Sequence, residues 1–152
     1  MRSQIRFAVL VTIGIALVPV CAIGADQRSP DEQSIAILEA RAAQAQPREQ
    51  CFLYAQLVQQ MTELSLRNYA AGQVDEADVL LKRIQGVAVK VHQTLDPSDK
   101  RLKNAEILLS NTAFRLKEML HVSAFDDRAL VEETLAKVSN AQDATMMQVF
   151  EK

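Results

Sequence analysis

Glycine and proline are scarce in this chain, four of each among 152 residues. That shortage argues against an all-β or loop-rich fold, whose turns consume both residue types. Histidine is scarcer still: His92 and His121 are the only two. They fall near different helix ends, so neither a Ser-His-Asp nor a Cys-His arrangement is supported. Covalent haem attachment would need Cys-x-x-Cys-His, which does not occur. No Gly-rich phosphate loop, Gly-x-Ser-x-Gly elbow or His-Glu-x-x-His step occurs either. An excess of charge of one sign is also missing. The formal charge is −2 and the pI near 5.7, which gives no electrostatic reason to expect DNA, RNA or anionic lipid as a partner. No internal repeat of the solenoid kind is visible.

The N-terminus carries the most specific signal. Arg2 and Arg6 precede an apolar run from Phe7 to Val20, broken only by Thr12 and the small-residue positions Gly14 and Pro19. The run is well short of the ~20 apolar residues of a permanent membrane span. Small residues then cluster at Ala22, Gly24 and Ala25. Basic, apolar and small segments in that order make a secretory signal, with Ala22-Ile23-Gly24 as the cleavage site and the cut expected after Gly24. Val20 before Cys21 argues against a lipoprotein, which needs a small residue there. Cleavage removes two basic residues and no acid, so the mature charge becomes −4. It also removes Cys21 and leaves Cys51 alone, so no disulfide can form within the mature chain. The expected location is periplasmic or secreted.

Three segments follow: a signal peptide over 1–24, a short helical segment over 25–46, and a four-helix bundle over 47–152. Ser29-Pro30-Asp31-Glu32 reads as a helix start, with Ser29 as cap and Glu32 completing a capping box. Ile35, Leu38, Ala42 and Ala45 then recur at helical steps until Pro47 ends the segment. This face is weak, and the helix is expected to be the least firmly docked. The second helix, from Pro47 to about Ala71, has the stripe Cys51, Tyr54, Leu57, Val58, Met61 and Leu64, and Gly72 stops it. The third, about Val74 to Leu95, repeats Ala77, Leu80, Ile84, Val87 and Val91, with Gly86 inside as a modest cost or a close-packing point. Asp96-Pro97 is read as ending it and opening the fourth, about Pro97 to His121. That helix repeats Leu102, Ala105, Leu109, Thr112, Leu116 and Met119. Ser123-Ala124-Phe125-Asp126 is read as a capping box for the fifth, which carries Val131, Leu135, Val138, Ala141 and Val149 and is expected to bend near Ser139-Asn140. Short connections between long helices predict antiparallel neighbours, hence an all-α, up-down four-helix bundle with an additional short N-terminal helix after the signal peptide.

Three side-chain groups bear on function. Glu118 and His121 make the Glu-x-x-His step of di-iron bundles, but that chemistry needs a second copy, and Val89 stands three residues before His92. Both residues also fall off the helix's apolar stripe, toward solvent. Cys51, His92, Met146 and Met147 are brought toward one end when the helices are folded antiparallel. They are soft donors of the kind copper prefers, and a Met–His pair can ligate haem. Cys51 and the methionines are equally ordinary core material. No metal or other cofactor is expected. The third group is basic. The stretch from Lys82 to Lys117 holds eight basic and three acidic residues, while the chain from Asp126 onward holds six acidic and three basic. One reading of this imbalance is mutual attraction between neighbouring helix faces. The other is a partner-binding surface on the third and fourth helices made of Lys82, Arg83, Lys100, Arg101, Lys103, Arg115 and Lys117, suited to an acidic envelope protein or polymer. The expected function is an exported, non-enzymatic interaction module. A periplasmic bundle binding a small ligand, copper or haem is the alternative.

Overall fold

The computed structural model describes residues 30–151. The expected leader and cleavage site, Cys21 and Ser29 lie outside the described residues. Within them the fold is all-helical: α1 (Glu32–Gln44), α2 (Pro47–Ala70), α3 (Val74–Gln93), α4 (Leu102–Val122) and α5 (Arg128–Phe150).

Local chemistry sets where each helix begins and ends, and it corrects several of the expected boundaries. Asp31, not Ser29, caps α1. Its carboxylate accepts from the Ser34 N–H at 2.7 Å, and the Ser34 hydroxyl oxygen accepts from the Asp31 N–H at 3.0 Å. α2 ends in a Schellman motif. Gly72 sits at φ +80°, the Gly72 N–H reaches the Tyr69 carbonyl at 3.0 Å, and the Gln73 N–H reaches Asn68 at 2.9 Å. α4 starts at Leu102, five residues after the expected Pro97. The Asp96 carboxylate instead accepts from the Ser98 N–H and hydroxyl at 2.8 and 2.7 Å, and the Asp99 carboxylate from the Arg101 N–H at 2.7 Å. These Asx turns hold 96–101 out of helix. Ser123 caps no N-terminus; it closes α4, and its hydroxyl donates to the Met119 carbonyl at 2.7 Å. The fifth helix is continuous through Ser139 and Asn140.

The apolar stripes point inward. Ile35, Leu57, Met61, Leu80, Ile84, Leu109, Leu116 and Val131 are all fully buried. Four threonines join them: Thr62, Thr112, Thr134 and Thr145. Each donates its hydroxyl to the carbonyl four residues earlier at 2.7–2.9 Å, so none of these four hydroxyls is stranded.

The four longer helices close a ring around this core, but in an unexpected order. α2 packs on α3 and α4, and α5 packs on α3 and α4; α3 and α4 lie across a diagonal, as do α2 and α5. Antiparallel hairpins α2–α3 and α4–α5 are registered by Ser65 on the Ala77 carbonyl at 3.1 Å and by Gln142 on Glu106 at 3.4 Å. α2 and α4 are parallel neighbours. Arg101 meets Phe52 at their starts, Arg115 meets Glu63 midway, and the Tyr69 hydroxyl accepts from the Ala124 N–H at their ends. α3 and α5 are likewise parallel, tied by Gln85 to Thr134 at 3.1 Å. The expectation that the third and fourth helices are neighbours is therefore corrected: the segment 94–101 crosses one end of the ring. α1 packs on α2 alone among the backbones.

Candidate functional site

The diagonal crossover decides which basic residues meet. Because α2 and α4 run parallel, both N-termini lie at the same end of the ring, and the crossover passes there. An open groove of about 640 Å³ results, lined by Arg48, Glu49, Ser98, Asp99, Lys100 and Arg101. Arg48 lies in the first turn of α2 and Arg101 is the N-cap of α4. Neither helix start receives a side-chain capping hydrogen bond. α4 has no acid in its first turn, where α3 has Asp75 and Glu76. Positive charge beside a helix N-terminus is unfavourable for the fold, since the macrodipole is positive there. Lys100, Arg101 and Lys103 thus occupy the wrong end of α4 for stability.

The groove floor is ordered. The Arg101 guanidinium stacks over the Phe52 ring at 3.5 Å from its centroid. Asp99 is buried and holds the Arg101 N–H. Beneath it Cys51 is fully buried, and its thiol is pushed up to about 12. Burial is the main cause and the Asp99 charge adds to it, while hydrogen bonding to Thr145 opposes both.

The seven basic residues singled out from sequence do not form one face. Lys100, Arg101 and Lys103 are gathered at the groove end. Lys82 and Arg83 lie on α3, diagonal to α4. Arg83 is engaged with Glu32 at 3.0 Å and Glu39 at 3.3 Å, both on α1. Arg115 is engaged with Glu63 at 3.0 Å and Glu118 at 2.6 Å, and these bonds hold its guanidinium pKa above the usual value. Lys82 and Lys117 are exposed. Arg48 was missed by the sequence reading. Its position after Pro47 marks a helix start, but nothing in sequence places residue 48 beside residue 100.

The soft donors are also dispersed in environment. Cys51 is inside the core, whereas His92, Met146 and Met147 are exposed. His92 lines a separate groove of about 270 Å³ between α3 and α5, with Val89, Lys137 and Asn140. Glu118 and His121 are both exposed, and Glu118 is committed to Arg115. Among the described residues no three His, Cys, Asp or Glu side chains are grouped as a metal-ligand set. Among those residues, too, no helix is long and apolar enough to cross a membrane.

The chain matches no known family model, and neither curated proteins nor solved structures show significant similarity to it.

Proposed function

We propose that this protein is an exported, non-enzymatic interaction module that binds an acidic envelope protein or polymer through the basic end groove. In this reading residues 1–24 are a signal peptide, removed near Gly24, and the mature four-helix bundle with its added α1 acts in the periplasm or outside the cell. The observation that carries the proposal is the gathering of Arg48, Lys100 and Arg101 around one groove at two parallel, uncapped helix starts. At α4 the outward-facing N–H groups of the first turn are ready donors to carboxylate, sulfate or phosphate, and the dipole adds to their pull. At α2 Pro47 has no N–H and the Glu49 N–H is taken by the Gln46 carbonyl, so that helix contributes chiefly its dipole and Arg48. Glu49 and Asp99 also line the groove, and cations at the start of α4 still cost the fold stability, so a bound anion adds a favourable partner there.

The test uses the mature protein and polyglutamate as an acidic probe. Arg48→Glu/Lys100→Glu/Lys103→Glu is expected to weaken binding at least tenfold and to flatten its salt dependence. Lys82→Glu/Lys117→Glu, away from the groove, is expected to change binding less than twofold. Equal loss in both variants, or no loss in the first, overturns the groove assignment.

A further inference from the structure

α1 is joined to α2 by only Ala45 and Gln46, both extended. It folds back along α2, where the Gln50 side chain donates to the Ala42 carbonyl at 3.3 Å. Leu53 and Leu57 share the Gln50 face of α2, since residues three and seven apart stack on one side of a helix. Both are buried. α1 seats Ile35, Leu38 and Ala42 inward. Its acids Glu32 and Glu39 both reach Arg83 on α3. α1 therefore behaves as a short amphipathic helix lying along α2, in a groove whose apolar floor is α2 and whose α3 edge is marked by the Arg83 side chain alone.

The helix pairs that close the ring of four leave α1 out, although Ile35, Leu38 and Ala42 extend the same apolar core. A 13-residue helix is marginal by itself in water, and only three of its side chains are buried. Elements with so few buried contacts open locally while the rest stays folded.

We infer that the α2–α3 groove is a binding site for an acidic amphipathic helix supplied by a partner protein, and that α1 is its tethered, displaceable stand-in. α1 defines the ligand chemistry: an acid, aliphatics at the third and sixth following positions, a second acid at the seventh and a small residue at the tenth, as in Glu32, Ile35, Leu38, Glu39 and Ala42. Charge complementarity to Arg83 selects an acidic helix over a basic one. The two-residue tether gives α1 an effective concentration on the order of mM, so a partner helix at lower concentration must have a correspondingly higher intrinsic affinity than α1 to displace it. This site is separate from the end groove and stands or falls apart from it.

The probe is a fluorescent peptide of residues 30–46, titrated into the full mature chain. Ile35→Asp/Leu38→Asp in the protein unseats its own α1. This opened variant is expected to keep a cooperative melt and to bind the peptide at least tenfold more tightly than the unaltered protein. Adding Arg83→Glu should remove at least tenfold of that affinity, and a peptide with Glu32→Lys and Glu39→Lys should recover it. Arg48→Glu/Lys100→Glu/Lys103→Glu should leave peptide affinity unchanged. A folded opened variant that ignores the peptide overturns the inference. So does an opened variant that fails to fold, because α1 is then part of the core. Concentration-dependent dimers of the unaltered protein by sedimentation, lost in the opened variant, would instead assign the groove to a second copy.

Discussion

At the scale of single residues, one buried thiol and one half-buried carboxylate make sharp tests. Cys51 sits under the end groove with its thiol raised to about 12. A thiolate is the reactive species, so the native protein should react with a thiol reagent at pH 8 far more slowly than the unfolded chain. Rapid, complete labelling of native protein would contradict this burial. The shift also has a stability consequence. Unfolded, the thiol ionises near pH 8.5; folded, it holds its proton until about 12. Between those values the folded state binds more protons, so stability falls as pH rises through the window. The fall should be steeper in the unaltered protein than in Cys51→Ala, read by urea unfolding across that range. Asp78 is raised for similar reasons. One carboxylate oxygen is buried without a hydrogen-bond partner. Burial and the charge of Asp127 push the group up, and Lys82 only partly opposes them. Its folded state disfavours the charged form, so its burden is present at neutral pH and relieved as pH falls through the raised value. Asp78→Asn is expected to raise the melting temperature at pH 7, with the gain shrinking in acid. An equal gain at both pH values would rule out the carboxylate charge as the cause.

At the scale of elements, two glycines should respond in opposite directions. Gly86 lies inside α3, is exposed, and an added Cβ there would meet nothing within 4 Å. It is therefore no close-packing point, and Gly86→Ala is expected to stabilise by roughly 0.5–1 kcal/mol through helix propensity. Gly72 has equally open surroundings but φ +80°, which an L side chain adopts at a cost. Gly72→Ala is expected to destabilise by about 1–2 kcal/mol. Denaturant unfolding of the two variants side by side checks both signs. The glycine that ends α2 is readable in sequence because the C-terminal position itself demands a left-handed residue. The start of α4 is not. Asp96-Pro97 resembles a helix start, yet a second aspartate at residue 99 makes a competing turn and delays the helix. Ser123 misleads in the same way, because the Met119 carbonyl claims its hydroxyl. Short polar side chains serve either role, and their neighbours in space settle which.

At the scale of the whole molecule, stability is expected to be unevenly shared. Leu109 is fully buried within the ring of four. Leu109→Ala should lower global stability by roughly 2–5 kcal/mol. Ile35 is just as buried, but on α1. Ile35→Ala can cost no more than the docking free energy of α1, and its signature should be faster amide exchange confined to Glu32–Gln44. Equal global loss from both substitutions, with no local exchange in α1, would show that all five helices unfold as one unit.

The sequence by itself determined the helical class, the number of helices and the side of each that turns inward. A period of 3.6 residues fixes which face is apolar, and that information is local. It did not determine which neighbour each face meets. The connection 71–73 is short enough to hold α2 and α3 adjacent, whereas 94–101 has eight residues. Extended, these could span ~26 Å, more than the ~14 Å diagonal of four helices packed about 10 Å apart. Either arrangement was open to the chain, and only tertiary packing chose the diagonal. That choice made α2 and α4 parallel, brought Arg48 to Lys100 and Arg101, and left Lys82 and Arg83 on another corner. The basic composition was legible residue by residue. The groove was not, because it belongs to the order of helices around the core, which a one-dimensional pattern does not encode.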